Sequence, residues 1–142
     1  MTRREARTAV FTLIFQADFR REEPLSQVLQ ISQDEQEEPQ EYNEYIRNVY
    51  YGVWEKLSEL DELISQNAHG WKLSRISRVS LALLRLAIYE MLYVSDVPFH
   101  VAINEALELA KIYDEEKSVP FLNGILNAVA TVKGLKNGGT AQ

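Results

Sequence analysis

The chain has 142 residues, 46% of them apolar, and no cysteine, which suits one domain or two tightly joined subdomains and excludes disulfides, zinc–thiolate sites and thiol catalysis. Its apolar stretches are too short for a transmembrane helix, and no apolar run follows the N-terminal arginines as a secretory signal requires, so a cytoplasmic protein is expected. The net charge of −6 opposes a polyanionic partner only on average. Residues 1–21 are net +3, 22–70 net −10, 71–95 net +3 and 96–142 net −2. Local basic patches on an acidic body can still bind a phosphate backbone, with modest affinity and steep salt dependence.

Apolar residues Ala6, Val10, Leu13, Ile14 and Ala17 form one stripe and predict a helix over 3–20. Arg3 and Arg7 lie one turn apart on a face pointing away from that stripe. Arginines at a helix start oppose the helix dipole, which favours acids there, and this unfavourable placement points to a polyanionic partner. Pro24 opens a short helix to about residue 31. The acidic stretch SQDEQEEPQ over 32–40 reads as a surface loop and as the seam between subdomains.

A long helix follows over 41–66, with Ile46, Val49, Val53, Leu57, Leu60 and Ile64 in steps of three and four. Tyr42, Tyr45, Tyr50, Tyr51 and Trp54 add aromatic bulk, read as core rather than as stacking platforms for bases. Gly70 ends the helix, and KLSRISR over 72–78 is a basic connector with one helical turn. The helix over 79–94 is apolar nearly all round and therefore central. Arg85 and Glu90 stand out in it: Arg85 either snorkels to solvent or offers its guanidinium to a phosphate.

Asp96 and Pro98 precede a helix over 99–113. After an acidic turn, Ser118 is expected to cap a last helix over 119–132, with Pro120 in its first turn. The Gly-rich tail from 134 should fray. No segment shows the alternation of a strand, so the fold class is all-α.

Catalytic chemistry is missing from this pattern. His69 and His100 are isolated, no glycine-rich phosphate loop occurs, and no nucleophile sits beside a base. No metal or cofactor is expected, and the chain reads as no enzyme. Glu105, embedded with Asn104 among Ala102, Ile103, Ala106 and Leu107, is expected to be satisfied structurally, for example by an arginine of a neighbouring helix. Gly124 within a helix costs about 1 kcal/mol relative to alanine, which predicts close approach of a helix or a ligand.

Three blocks carry a resemblance that spans almost the whole chain. They are Arg3-Arg4-Glu5-Ala6-Arg7 leading to Phe15-Gln16, Leu84-Arg85-Leu86-Ala87-Ile88-Tyr89-Glu90, and Val101-Ala102-Ile103-Asn104-Glu105-Ala106 with Ser118 and Phe121-Leu122-Asn123-Gly124-Ile125-Leu126. The sequence resembles the NusB family of transcription antitermination factors. The resemblance implies about seven helices in two small packed bundles, an N-terminal subdomain over about 1–70 and a C-terminal one over about 71–133. It also implies binding of boxA-type single-stranded RNA from ribosomal RNA leaders, together with NusE, a small-subunit ribosomal protein. In the elongation complex this helps RNA polymerase resist termination.

By the same resemblance Arg3, Arg4 and Arg7 match an arginine-rich RNA-binding motif, while Arg85 and Phe121 match positions near RNA. Asp114 departs from the family, where glycine follows the aromatic, so a different turn is expected. Glu5 dilutes the basic cluster, which would make NusE weigh more in affinity. The helical domain also resembles the N-terminal part of bacterial rRNA cytosine methyltransferases, although this chain has no room for their catalytic domain. The alternative is a helical protein–protein interaction module that binds no RNA, for which the arginines would be incidental.

Overall fold

The computed structural model describes residues 2–35 and 40–136 and consists of α1 (Arg3–Asp18), α2 (Leu25–Glu35), α3 (Gln40–Glu55), α4 (Leu57–Asn67), a 3-10 turn (Leu73–Arg75), α5 (Arg78–Tyr93), α6 (Phe99–Tyr113) and α7 (Ser118–Val132). No strand occurs among the described residues, as the missing alternation predicts. None of their helices is long and apolar enough to cross a membrane. Helix α5 is the centre: it packs against α1, α3, α4, α6 and α7. Its Leu83, Leu84, Leu86, Ala87 and Ile88 are buried, which is why this helix is apolar nearly all round. One continuous apolar cluster runs from Ala6 of α1 to Ala130 of α7.

The structure departs from the sequence reading at several helix ends. Helix α2 runs on through Glu35, so residues 32–35 are helical, while the rest of the expected acidic loop falls largely outside the described residues. The helix expected over 41–66 is two helices, bent at Lys56, whose φ of −100° and ψ of 15° leave the helical region. The hydrogen-bond ladder bridges the bend, since Lys56 N–H donates to Gly52 C=O and Leu60 N–H to Lys56 C=O. The apolar stripe therefore continues across it, with Ile46, Val49, Val53, Leu60 and Ile64 all buried. Of the aromatics, Tyr45 and Tyr50 are buried and Tyr51 and Trp54 half-buried, in keeping with a core role; the Tyr42 side chain lies outside the described residues.

Ser118 does not cap α7 either. It is the first residue of the helix, and its hydroxyl donates to Asp114 Oδ1 at 3.1 Å. Asp114 itself has an extended backbone (φ −114°, ψ 178°), a conformation that needs no glycine. Its carboxylate also accepts from the Ser80 hydroxyl at 2.5 Å and from Glu115 N–H at 2.8 Å. The turn between α6 and α7 is thus knitted to α5 by the Asp114 side chain.

The two helical glycines with known surroundings have opposite ones. A Cβ on Gly52 would lie 2.1 Å from Tyr89 Oη and 2.3 Å from Cζ of the same ring, so α3 and α5 approach this closely only through glycine. A Cβ on Gly124 would meet nothing within 4 Å, so the close neighbour expected there is absent within the described chain. Gly52→Ala should cost about 1–3 kcal/mol through overpacking, whereas Gly124→Ala should stabilise by up to about 1 kcal/mol through helix propensity. Urea unfolding midpoints of the two variants check both signs.

Candidate nucleic-acid interface

Helix α1 solves its dipole problem before its arginines begin. Thr2 is the N-cap: its hydroxyl accepts from Glu5 N–H at 3.1 Å, and Glu5 Oε1 accepts from Thr2 N–H at 2.8 Å. Glu5 therefore interrupts the basic cluster for a local reason, a capping box that answers the free N–H groups and the positive helix end. With the helix start neutralised, the arginines project sideways and find acids on other helices.

Their three environments differ. Arg7 is buried, contrary to the outward face expected for it. Its Nε and Nη2 donate to Glu90 Oε1 and Oε2 at 2.7 and 3.0 Å, and its Nη1 donates to Glu105 Oε1 at 3.2 Å. Tyr45 Oη of α3 donates to Glu90 Oε2 at 2.9 Å. Burial opposes the charge on Arg7, but the hydrogen bonds and charge of Glu90 outweigh it and hold the guanidinium above its ordinary pKa. Burial and then the adjacent Glu90 carboxylate push the Tyr45 phenol up, keeping it a neutral donor.

Arg4 is 64% exposed along its side chain and forms a forked pair with Glu105, at 3.0 Å from Nε and 2.6 Å from Nη2. The hydrogen bond from Arg4 holds the Glu105 carboxyl below the usual carboxylate range. Glu105 is thus satisfied by neighbouring arginines, as its apolar surroundings predict. Arg3 is held least: its Nη2 lies 3.4 Å from exposed Asp96, and its guanidinium sits 4.4 Å over the Tyr45 ring.

Arg85 is buried nearer the other end of α1. Its Nε and Nη2 donate to Asp61 of α4 at 2.8 and 3.0 Å, and its Nη1 lies 3.7 Å from Asp18 of α1. Asp18 also accepts from Arg21 at 2.7 Å and from Arg78 at 3.2 Å. Of the two readings open for Arg85, neither solvent nor an outside phosphate is what it faces here: Asp61 takes the fork of Nε and Nη2, and Nη1 is buried beside Asp18 without a hydrogen bond among the described residues.

Phe121 is half-buried in the first turns of α7, its ring edge-on to Trp71 at 5.6 Å between centroids. Trp71 is 53% exposed. At this same end of the bundle, where α5 begins and α6 ends, Phe19 is 58% exposed and Arg78 stacks over it at 4.7 Å. Phe11, Phe15 and Phe19, one turn apart each, run along α1 in ring contact, with Tyr113 of α6 against Phe11. Sequence reasoning passed over Trp71 and Phe19. The only signal was an aromatic beside a basic connector in one case and one aromatic beyond the helix stripe in the other.

The arrangement therefore brings Arg3, Arg4 and Arg7 together at one end of α1 and leaves Phe121 and Arg85 elsewhere. A strand of single-stranded nucleic acid running along α1, about 24 Å at 1.5 Å per residue, would meet guanidinium at one end and aromatic faces with Arg78 at the other. Phosphate contact and base stacking are the two kinds of contact that recognition of an unpaired strand requires.

The removal of Arg7 should be far worse for folding than that of Arg4. Arg7→Ala leaves Glu90, 1% exposed, without its cation, at an expected cost of about 3–5 kcal/mol, while Arg4→Ala should leave the unfolding midpoint nearly unchanged. Equilibrium urea unfolding of both variants is the check. Acid should weaken the same network. Glu105 has a depressed folded-state pKa, so its contribution is complete above its unfolded value and disappears as pH falls through the folded one. Glu105→Gln should accordingly flatten the acid limb of stability against pH, measured by thermal unfolding between pH 2 and 6.

The model of the NusB family matches residues 4–131. The transcription antitermination protein NusB of Acetivibrio thermocellus is 45% identical over 94% of this chain and 91% of its own length. Among solved structures, a T. maritima NusB is 44% identical, with a TM-score of 0.86 and 92% of each chain covered. A structure of the antitermination factors NusB and NusE in complex with dsRNA shares the fold, with a TM-score of 0.81 over 93% of this chain and 99% of that one, at 22% identity.

Proposed function

This chain belongs to the NusB family, and on that premise we propose that it is a transcription antitermination factor: with NusE, it binds boxA-type single-stranded RNA of ribosomal RNA leader transcripts and helps RNA polymerase read through terminators. The observation that carries this reading is the α1 edge, where the Arg3 and Arg4 side chains themselves stand 38% and 64% exposed on a capped helix end. Guanidinium groups so exposed are available to phosphate, whereas those of Arg7 and Arg85 are themselves buried and committed to Glu90 and Asp61. Arg3 and Arg4 make the backbone contacts, and Arg7 and Arg85 act by fixing where that edge lies. Phe121, with Trp71 beside it, stacks on an unpaired base.

The role is that of an adaptor rather than a catalyst. It joins RNA, NusE and the transcribing polymerase, and acting on nascent transcripts it works in the cytoplasm. An antitermination factor of this fold has been captured with NusE and a double-stranded RNA, which supports NusE and RNA as partners here, the single strand being part of this proposal.

Fluorescence anisotropy with a boxA-like RNA and a scrambled control, with and without NusE across a salt series, tests the proposal. Sequence-dependent binding that tightens with NusE is expected. The Arg3→Ala/Arg4→Ala variant should bind more weakly, with a salt slope shallower by about 0.7 per lost phosphate contact. Phe121→Ala should lose about 1–3 kcal/mol, the worth of one stacked base. Equal, weak binding to both RNAs in every condition would instead support the interaction module without RNA.

A further inference from the structure

Resting on the RNA-binding reading above, we infer that Glu105 is an intramolecular competitor of the RNA backbone, holding Arg4 in reserve and setting how tightly the α1 edge binds phosphate. Arg4 projects from an exposed edge, yet its Nε and Nη2 both return to Glu105, at 3.0 and 2.6 Å. A guanidinium fork of this kind fits one carboxylate or one phosphate at a time. The forked pair with Glu105 and the same fork on RNA therefore exclude each other.

Glu105 can release Arg4 without being stranded. Its Oε1 also accepts from Arg7 Nη1 at 3.2 Å, so the carboxylate, only 12% exposed, keeps a cation when Arg4 swings outward. A carboxylate so enclosed would be costly to leave unpaired, and Arg7 removes that cost. Arg7 has no such freedom, because its Nε and Nη2 are engaged with Glu90 in the interior. Arg3 needs no release of this kind, since its 3.4 Å contact to Asp96 is exposed. The motif thus contains one guanidinium that stays, one that exchanges and one that is nearly free.

Competition of this kind has a sign and a salt signature. Glu105→Gln keeps an amide oxygen for Arg7 but removes the charge that holds Arg4. It should bind a boxA-like single-stranded RNA about two- to fivefold more tightly at low ionic strength, the worth of one surface ion pair. Salt screens the internal pair as well as the RNA contact, so the advantage should shrink towards none as salt rises. In an Arg4→Ala background the same substitution should change nothing.

Anisotropy titrations of the wild type, Glu105→Gln, Arg4→Ala and the double variant measure this directly. An affinity for Glu105→Gln no higher than wild type at low salt overturns the inference, as does a gain that survives without Arg4. In either case weakened binding by Arg3→Ala/Arg4→Ala leaves the functional reading standing. If the wild type itself binds no RNA, the function and the inference fall together. A second measurement needs no substitution: in arginine Nε NMR spectra of the wild type, RNA should shift the Arg4 signal and leave that of Arg7 in place. A static Arg4 signal in the saturated complex, or an Arg7 signal moving with it, overturns the inference.

Discussion

The structure depends on a buried guanidinium. Arg7 lies in the interior with Glu90, and a charge there is tolerable only when each of its donors finds an acceptor of opposite sign. Two carboxylates from two helices meet that demand, and Tyr45 of a third donates to one of them, so the network around Arg7 ties α1 to α3, α5 and α6. Hydrophobic packing alone would let α1 slide or roll on α5 by fractions of a turn. A forked ion pair with both oxygens engaged does not permit that, because its geometry fails with small displacements.

A second pair, of reversed polarity, fixes the other end of α1. Near its start an arginine of α1 enters a carboxylate of α5; near its end a carboxylate of α1, Asp18, faces an arginine of α5. The two helices are antiparallel, so these contacts set their register at two well-separated points. Asp18 gathers Arg21 and Arg78 as well, and Arg85 reaches on to Asp61 of α4. Of the middle segment's acids Asp61 takes Arg85 and Glu23 takes Arg20, whereas the acids that hold Arg7 and Arg78 come from α5, α6 and α1. Pairing in space thus cuts across the charge segregation along the chain, and it leaves Arg4 the more exposed guanidinium of the α1 edge, with exposed aromatic rings such as Phe19 and Trp71 elsewhere.

How much of this could be read from the sequence follows from what each feature leaves on it. Buried stripes repeat every three or four residues, so the helical segments were legible, although α3 and α4 read as one, and the apolar circumference of residues 79–94 marked α5 as central. The bend at Lys56 left no mark, because the stripe and most of the hydrogen-bond ladder run straight across it. Ser118 has the composition of a cap, but a competing acceptor, Asp114, took its hydroxyl. Arg7 is indistinguishable in sequence from Arg3: both sit one turn apart beside an apolar stripe, and only the far ends of their side chains differ in fate. The available signal lay elsewhere, in Glu90 and Glu105. Two acids on apolar helices require cations, and α1 is rich in them; pairing the two observations would have predicted a buried arginine, though not which one.

An arginine-rich motif is therefore not a single physical object. Its members share a residue type because guanidinium serves two purposes equally well: it satisfies buried carboxylates in a fork, and it recognises phosphate in the same fork. Which purpose a given arginine serves is decided by depth, since a fork closed on a carboxylate in the interior cannot open to solvent without leaving that carboxylate bare. Loss of RNA binding after substitution of Arg7 would follow from a displaced α1 as readily as from a lost contact. Only at Arg3 and Arg4, whose removal strands no carboxylate without a cation in the interior, would a change in affinity report on the proposed recognition itself.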